Sequence, residues 1–149
     1  METASKEGEF RESLKETDWA WLAGFLDGEG HLSIRRGIAK NNNKNQRTTS
    51  KKEWVWYSTR ISVSNIDLPS MKKAALMLNG NMIKQPMKKH NLVPIYTIEI
   101  GARLKILKVL KKLIPHLITK KEPAKLMLEF VEVPHKYGSI ESLREKDKQ

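Results

Sequence analysis

Apolar and polar positions follow two periods along this chain, and the places where the period changes mark its elements. Trp19, Trp21, Leu22, Phe25 and Leu26 recur at helical spacing and predict a helix over about 18–27, capped by Thr17 or Asp18. The period then drops to two. Leu32 and Ile34 alternate with His31, Ser33 and Arg35, which predicts a strand over about 30–38. Residues 39–53 are polar apart from Ala39 and form a long hairpin tip rich in groups that hold phosphates and read bases. A second strand spans about 53–65. Its inward face is Val55, Tyr57, Thr59, Ile61 and Val63, and its outward face is Trp54, Trp56, Ser58, Arg60, Ser62 and Ser64.

The second half repeats this order. Asp67 caps a helix with Pro69 in its first turn and Asn79-Gly80 at its end. Strands at about 81–88 and 93–100 flank a turn at His90-Asn91, and in the latter Tyr96, Ile98 and Ile100 alternate with Ile95, Thr97 and Glu99. A helix over about 102–114 sets Leu104, Leu107, Leu110, Leu113, Ile106 and Ile114 against Lys105, Lys108, Lys111 and Lys112, and Pro115 ends it. A last helix covers about 123–132, with Pro123 at its start. The expected fold is α+β in the order αββαββα, with one antiparallel four-stranded sheet, helices on one face and the other face open and polar. Residues 1–17 read as a polar extension, 18–133 as the domain and 134–149 as a charged tail.

Charge sharpens this picture. The net charge of +11 is concentrated in the middle of the 149 residues: residues 31–66 carry eight basic residues against one acidic, whereas residues 1–30 carry three against eight. A basic centre between acidic or neutral ends suits a polyanion. There are no cysteines, which excludes disulfides and Cys-ligated zinc. His31, His90, His116 and His135 lack metal-ligand spacing. No stretch is long and apolar enough to span a membrane, and the start does not read as a signal peptide, so the expected setting is intracellular, in a prokaryotic cytoplasm or an organelle.

The densest chemistry lies at residues 22–30, Leu-Ala-Gly-Phe-Leu-Asp-Gly-Glu-Gly. Ala20, Gly24 and Gly28 form one helical stripe of small residues, across which a second helix backbone can approach closely. Two such helices side by side would bring their terminal acids together, an arrangement suited to divalent metal and phosphodiester cleavage.

This nonapeptide resembles the signature of the LAGLIDADG homing endonucleases, with Phe25, Leu26, Gly28 and Glu29 as its departures, and the element order extends the resemblance over residues 18–132. The resemblance implies that Glu29 and the Gly28 carbonyl hold metal, and that Asp27 fixes the helix end. It also implies that Asn65, at the end of the second strand, and Lys120, in the link before the last helix, serve catalysis. DNA would lie on the open sheet face against Ser33, Arg35, Trp54, Trp56, Ser58, Arg60, Ser62, Lys84, Thr97 and Glu99, with Arg35 and Arg60 as guanine readers. A single signature copy implies a homodimer through Ala20, Gly24 and Gly28, which reads a near-palindromic duplex.

The expected function is therefore an intron-encoded, Mg²⁺-dependent endonuclease that cuts both strands of a long site, with Ca²⁺ supporting binding without cleavage. The alternatives are an RNA-binding maturase that assists intron splicing and a catalytically silent DNA-binding protein on the same fold. Retention of Glu29 and Lys120 favours cleavage. No acidic residue has Lys two places later, so the common D/E-x-K nuclease signature is absent.

Overall fold

The computed structural model describes residues 13–40, 53–87, 89–90 and 93–133. Its elements are α1 (Glu16–Glu29), β1 (Gly30–Lys40), β2 (Glu53–Asn65), α2 (Leu68–Leu78), β3 (Asn81–Lys84), β4 (Tyr96–Ile100), α3 (Arg103–Leu113) and α4 (Lys121–Glu132). The strands form one antiparallel sheet in the order β1-β2-β4-β3, with the helices on one face. The expected α+β order is thus realised. The polar stretches at 1–12 and 134–149 and the hairpin tip at 41–52 lie outside the described residues.

The core sits between sheet and helices. Ile61, Val63, Ile98 and Ile100 from the strands meet Leu22 and Leu26 of α1, Met71 and Leu78 of α2, Ile106 and Leu110 of α3, and Met127 of α4. Their burial supplies the main stabilisation, at about 25 cal/mol per Å² of apolar surface. On α3 the buried face is Ile106, Val109, Leu110 and Leu113, whereas Leu104, expected to be apolar and inward, is 62% exposed. The i, i+3, i+4, i+7 set starting at Ile106 fits one stripe, and Leu104 falls beside it.

Several boundaries differ from the expectations for local reasons. Helix α1 starts at Glu16 with Lys15 as its N-cap residue. Asp18 works from inside the first turn, its carboxylate accepting the Lys15 backbone N–H at 2.9 Å, so it is not the cap itself. Strand β3 stops at Lys84 and β4 begins at Tyr96. Pro86 and Pro94 offer no N–H to a ladder, which leaves the Gln85 N–H to Ile95 carbonyl bond of 2.8 Å as the last rung. Helix α4 begins at Lys121 with Lys120 as N-cap, which places Pro123 inside the first turn, where its missing N–H is tolerated.

Candidate active site and nucleic-acid interface

Helix α1 is apolar on nearly every side, yet it buries only Leu22, Ala23 and Leu26. Ala20, Gly24 and Gly28 are exposed, and a Cβ built on either glycine meets nothing within 4 Å. Trp21 and Phe25 stack beside this stripe with ring centroids 5.3 Å apart, and the Lys73 ammonium lies 4.7 Å above the indole. An all-round apolar helix with one bare side is built to be covered. The glycine that ends the signature is different. A Cβ on Gly30 would meet the Leu26 carbonyl oxygen at 2.7 Å, so the turn from helix into strand leaves no room for a side chain.

The two acids at the helix end meet contrasting surroundings. Asp27 reaches the start of α4, where its carboxylate accepts the backbone N–H of Ile118 at 2.8 Å and of Lys120 at 2.9 Å. Lys120 answers by donating its ammonium to the Asp27 backbone carbonyl at 2.6 Å. The C-terminal acid of one helix caps the N-terminus of another, and that helix's N-cap lysine satisfies a C-terminal carbonyl of the first. Partial burial pushes the Asp27 carboxyl up. The backbone N–H groups of Ile118, Lys120 and Thr119, with the Lys120 charge, outweigh it and hold the group below its ordinary value of 3.8.

Glu29 is exposed, and among the described residues no cation or donor engages its carboxylate. No described cluster of three or more His, Cys, Asp or Glu side chains could hold a metal ion. The Glu29 carboxylate and the Gly28 carbonyl, both at the end of α1, are oxygens of the kind a hard divalent cation could take. Lys120 is partly buried at the same helix end, as the reading of the basic link required. Asn65 closes β2 opposite Tyr96, and its side-chain oxygen accepts the Asp67 N–H at 2.9 Å. That bond turns the chain toward α2, whose N-terminus Asp67 caps through Ser70. The amide NH₂ of Asn65 is not used in this turn.

The open sheet face assembles most of the predicted DNA contacts. Register sets Ser33 opposite Arg60, Arg35 opposite Ser58, and Gly37 opposite Trp56, while Ser62 pairs Glu99 and Ser64 pairs Thr97. Trp56 is 38% exposed and lies so close over Gly37 that a Cβ there would run into the indole. Trp54 faces Ala39 in the register, and its side chain lies outside the described residues. Arg60 and Glu99 form an ion pair of 2.7 Å on this face.

Lys84 corrects an expectation. It pairs Tyr96, while Met82 pairs Ile98, so Lys84 projects to the helix side of the sheet and not to the open face. The alternation puts Asn81, Ile83 and Gln85 there instead. Met82 was the available signal, since its partnership with the buried Ile98 fixes the parity of the whole strand.

Residues 22–128 match the model of the LAGLIDADG endonuclease family. The chain belongs to that family. No curated protein sequence matches the chain. Two solved structures of the homing endonuclease I-CvuI, one with DNA not cleaved in 2 mM Mg and one with its target in 2 mM Ca, share 18% and 19% identity. They superpose with TM-scores of 0.54 and 0.55, over 78% of this chain and 67% of theirs. The archaeal intron-encoded homing endonuclease I-Vdi141I, complexed with DNA, matches at 14% identity and TM-score 0.53 over 78% of this chain and 68% of that one. The LAGLIDADG homing endonuclease I-SmaMI, bound to cleaved DNA, matches at 20% identity and TM-score 0.51, over 80% of this chain but 36% of its own. At these identities the likeness establishes the LAGLIDADG fold. Among the described residues no helix is long and apolar enough to cross a membrane.

Proposed function

We propose that this LAGLIDADG protein is an intron-encoded homing endonuclease that acts as a homodimer and cuts both strands of a long, near-palindromic DNA site. The observation that carries the reading is the division of labour at the end of α1. Asp27 is engaged by Ile118 and Lys120, while Glu29, two residues on, is exposed. A second copy docked across Ala20, Gly24 and Gly28 would bring its own Glu29 to this end and complete the donor set. Two carboxylates and two Gly28 carbonyls suit a hard divalent cation such as Mg²⁺, with Ca²⁺ supporting binding without cleavage. When bound, the ion supplies a water of lowered pKa and charge neutralisation at the phosphate.

The chain's own residues do the rest. The Lys120 ammonium, held at the Asp27 carbonyl, stabilises charge developing on the scissile phosphate. The NH₂ of Asn65 orients water at the strand end while its oxygen holds the turn. Ser33, Arg35, Ser58, Arg60 and Ser62 carry the duplex on the open face, where a twisted sheet fits the major groove. Trp54 and Trp56 of β2, with Thr97 and Glu99 of β4, extend this contact.

The test is incubation with a randomised duplex library and Mg²⁺, followed by sequencing of cut ends. The reading expects paired cuts that leave short 3′ overhangs inside one near-palindromic sequence. Enrichment of a bound duplex without cut ends would make this a silent DNA-binding protein, and retention of RNA alone would make it a maturase.

A further inference from the structure

Beyond Arg60, the open face holds a second preassembled polar group that the sequence reading did not nominate. Gln85 follows β3 on the outward side, in phase with Asn81 and Ile83. Its backbone is set twice, by the bond of its N–H to the Ile95 carbonyl at 2.8 Å and by Pro86, which confines the preceding residue to extended conformations. Its side chain is set as well. The Gln85 amide NH₂ donates to the Thr97 hydroxyl at 2.8 Å, and that hydroxyl is bonded in turn to the Ser64 hydroxyl at 2.8 Å. Strands β2 and β4 and the residue after β3 thus contribute to one chain of hydrogen bonds on the face without helices.

This arrangement leaves a defined remainder. One amide N–H is engaged by Thr97, and among the described residues nothing engages the carbonyl oxygen or the second N–H of this exposed side chain. An acceptor and a donor side by side complement the N6 amine and N7 of adenine in the major groove. We propose that Gln85 reads an adenine, with Thr97 and Ser64 positioning its amide. The inference rests on the DNA-binding reading above and adds a base identity to it. A glutamine already held at its backbone and amide loses less freedom on binding than a free one, which favours discrimination at that base.

The experiment uses the full chain and duplexes selected in Ca²⁺ from a randomised library. Wild-type protein should require adenine at one position in each half-site. Gln85→Ala should flatten the preference there by about tenfold or more, with other positions unchanged. Thr97→Val, which keeps the side chain's shape and removes its hydroxyl, should weaken the same preference and no other. Replacing that adenine by 7-deazaadenine should cost wild-type affinity and leave Gln85→Ala indifferent, a readout that a merely structural strand staple would not move. A selected site whose preferences are all unchanged in Gln85→Ala overturns the inference and leaves DNA binding intact. If wild-type protein selects no duplex at all, the DNA-binding reading fails and takes this one with it.

Discussion

Asp27 and Glu29 leave the same helix end two residues apart, and comparing their surroundings separates folding from chemistry. Asp27 is drawn to the backbone N–H groups of Ile118 and Lys120 in the link just before α4, and Lys120 donates to its carbonyl. Its charge satisfies groups that would otherwise stand unpaired at a helix N-terminus. Glu29, in the same turn, faces solvent, and no described residue partners it. An exposed acid with nothing to satisfy contributes little to stability and is free to meet a cation and a phosphate. The same contrast recurs along α1, where Leu22 and Leu26 are buried while Ala20 and Gly24 face outward with open space above them. Each pair puts a residue held by the fold beside one that is exposed.

The contrast can be broken most completely at the bare stripe. A Cβ at Gly24 meets nothing within 4 Å and Gly24→Leu adds helix propensity, so the single chain should keep or gain stability, by about 0.5–1 kcal/mol. Dimerisation and cleavage should both be lost. Sedimentation, thermal melting and a cutting assay read the three effects, and a fully active wild-type monomer would contradict the two-fold account. Next comes Lys120→Met, which should slow cutting by about 10²-fold or more while binding in Ca²⁺ changes little. Loss of binding with an unchanged rate at saturating protein would make Lys120 a phosphate clamp and shift attention to Lys121.

Asp27→Asn should act on the fold. An amide in place of the carboxylate faces two backbone N–H donors with a single oxygen, and equilibrium unfolding should register a loss of about 1–3 kcal/mol. The smallest effect is in acid. The Asp27 carboxyl lies below its ordinary 3.8 in the folded chain, so its stabilisation is present above that value and fades as pH falls through the depressed one. Asp18, by its bond from the Lys15 backbone, and Asp67, by its bonds from Ser70, are lowered as well, so their contributions have the same sign. The difference between wild type and Asp27→Asn isolates the Asp27 part, and it should shrink below about pH 4.

Much of this was legible before any coordinates. Periodicity and end signals located each described helix and strand, because alternation and helical spacing report which side an element buries. The resemblance pointed to Glu29 and Lys120, and the clasp with Asp27 holds Lys120 at the end of the helix that carries Glu29. What periodicity could not supply was pairing that depends on distant partners. The parity of β3 is fixed by Met82 against Ile98, so Lys84 was assigned to the wrong face and Gln85 was overlooked. The start of α4 moved to Lys121 because Lys120 is capped by a residue far away in sequence. Strand ends shortened where Pro86 and Pro94 interrupt the ladder, a cue that was present but weighed less than alternation. The Arg60–Glu99 pair joins two predicted base contacts to each other, which no reading of separate strands could reveal.

The central claim is that Glu29 is kept for chemistry and Asp27 for the fold, and Glu29→Gln tests it most directly. Cleavage of the selected duplex in Mg²⁺, binding to it in Ca²⁺, and thermal melting should be measured on one preparation. The account predicts no detectable cutting, binding close to wild type, and an unchanged melting temperature, since no described contact depends on the Glu29 charge. Cutting at near wild-type rate, or a melting temperature lowered as far as that of Asp27→Asn, would contradict it.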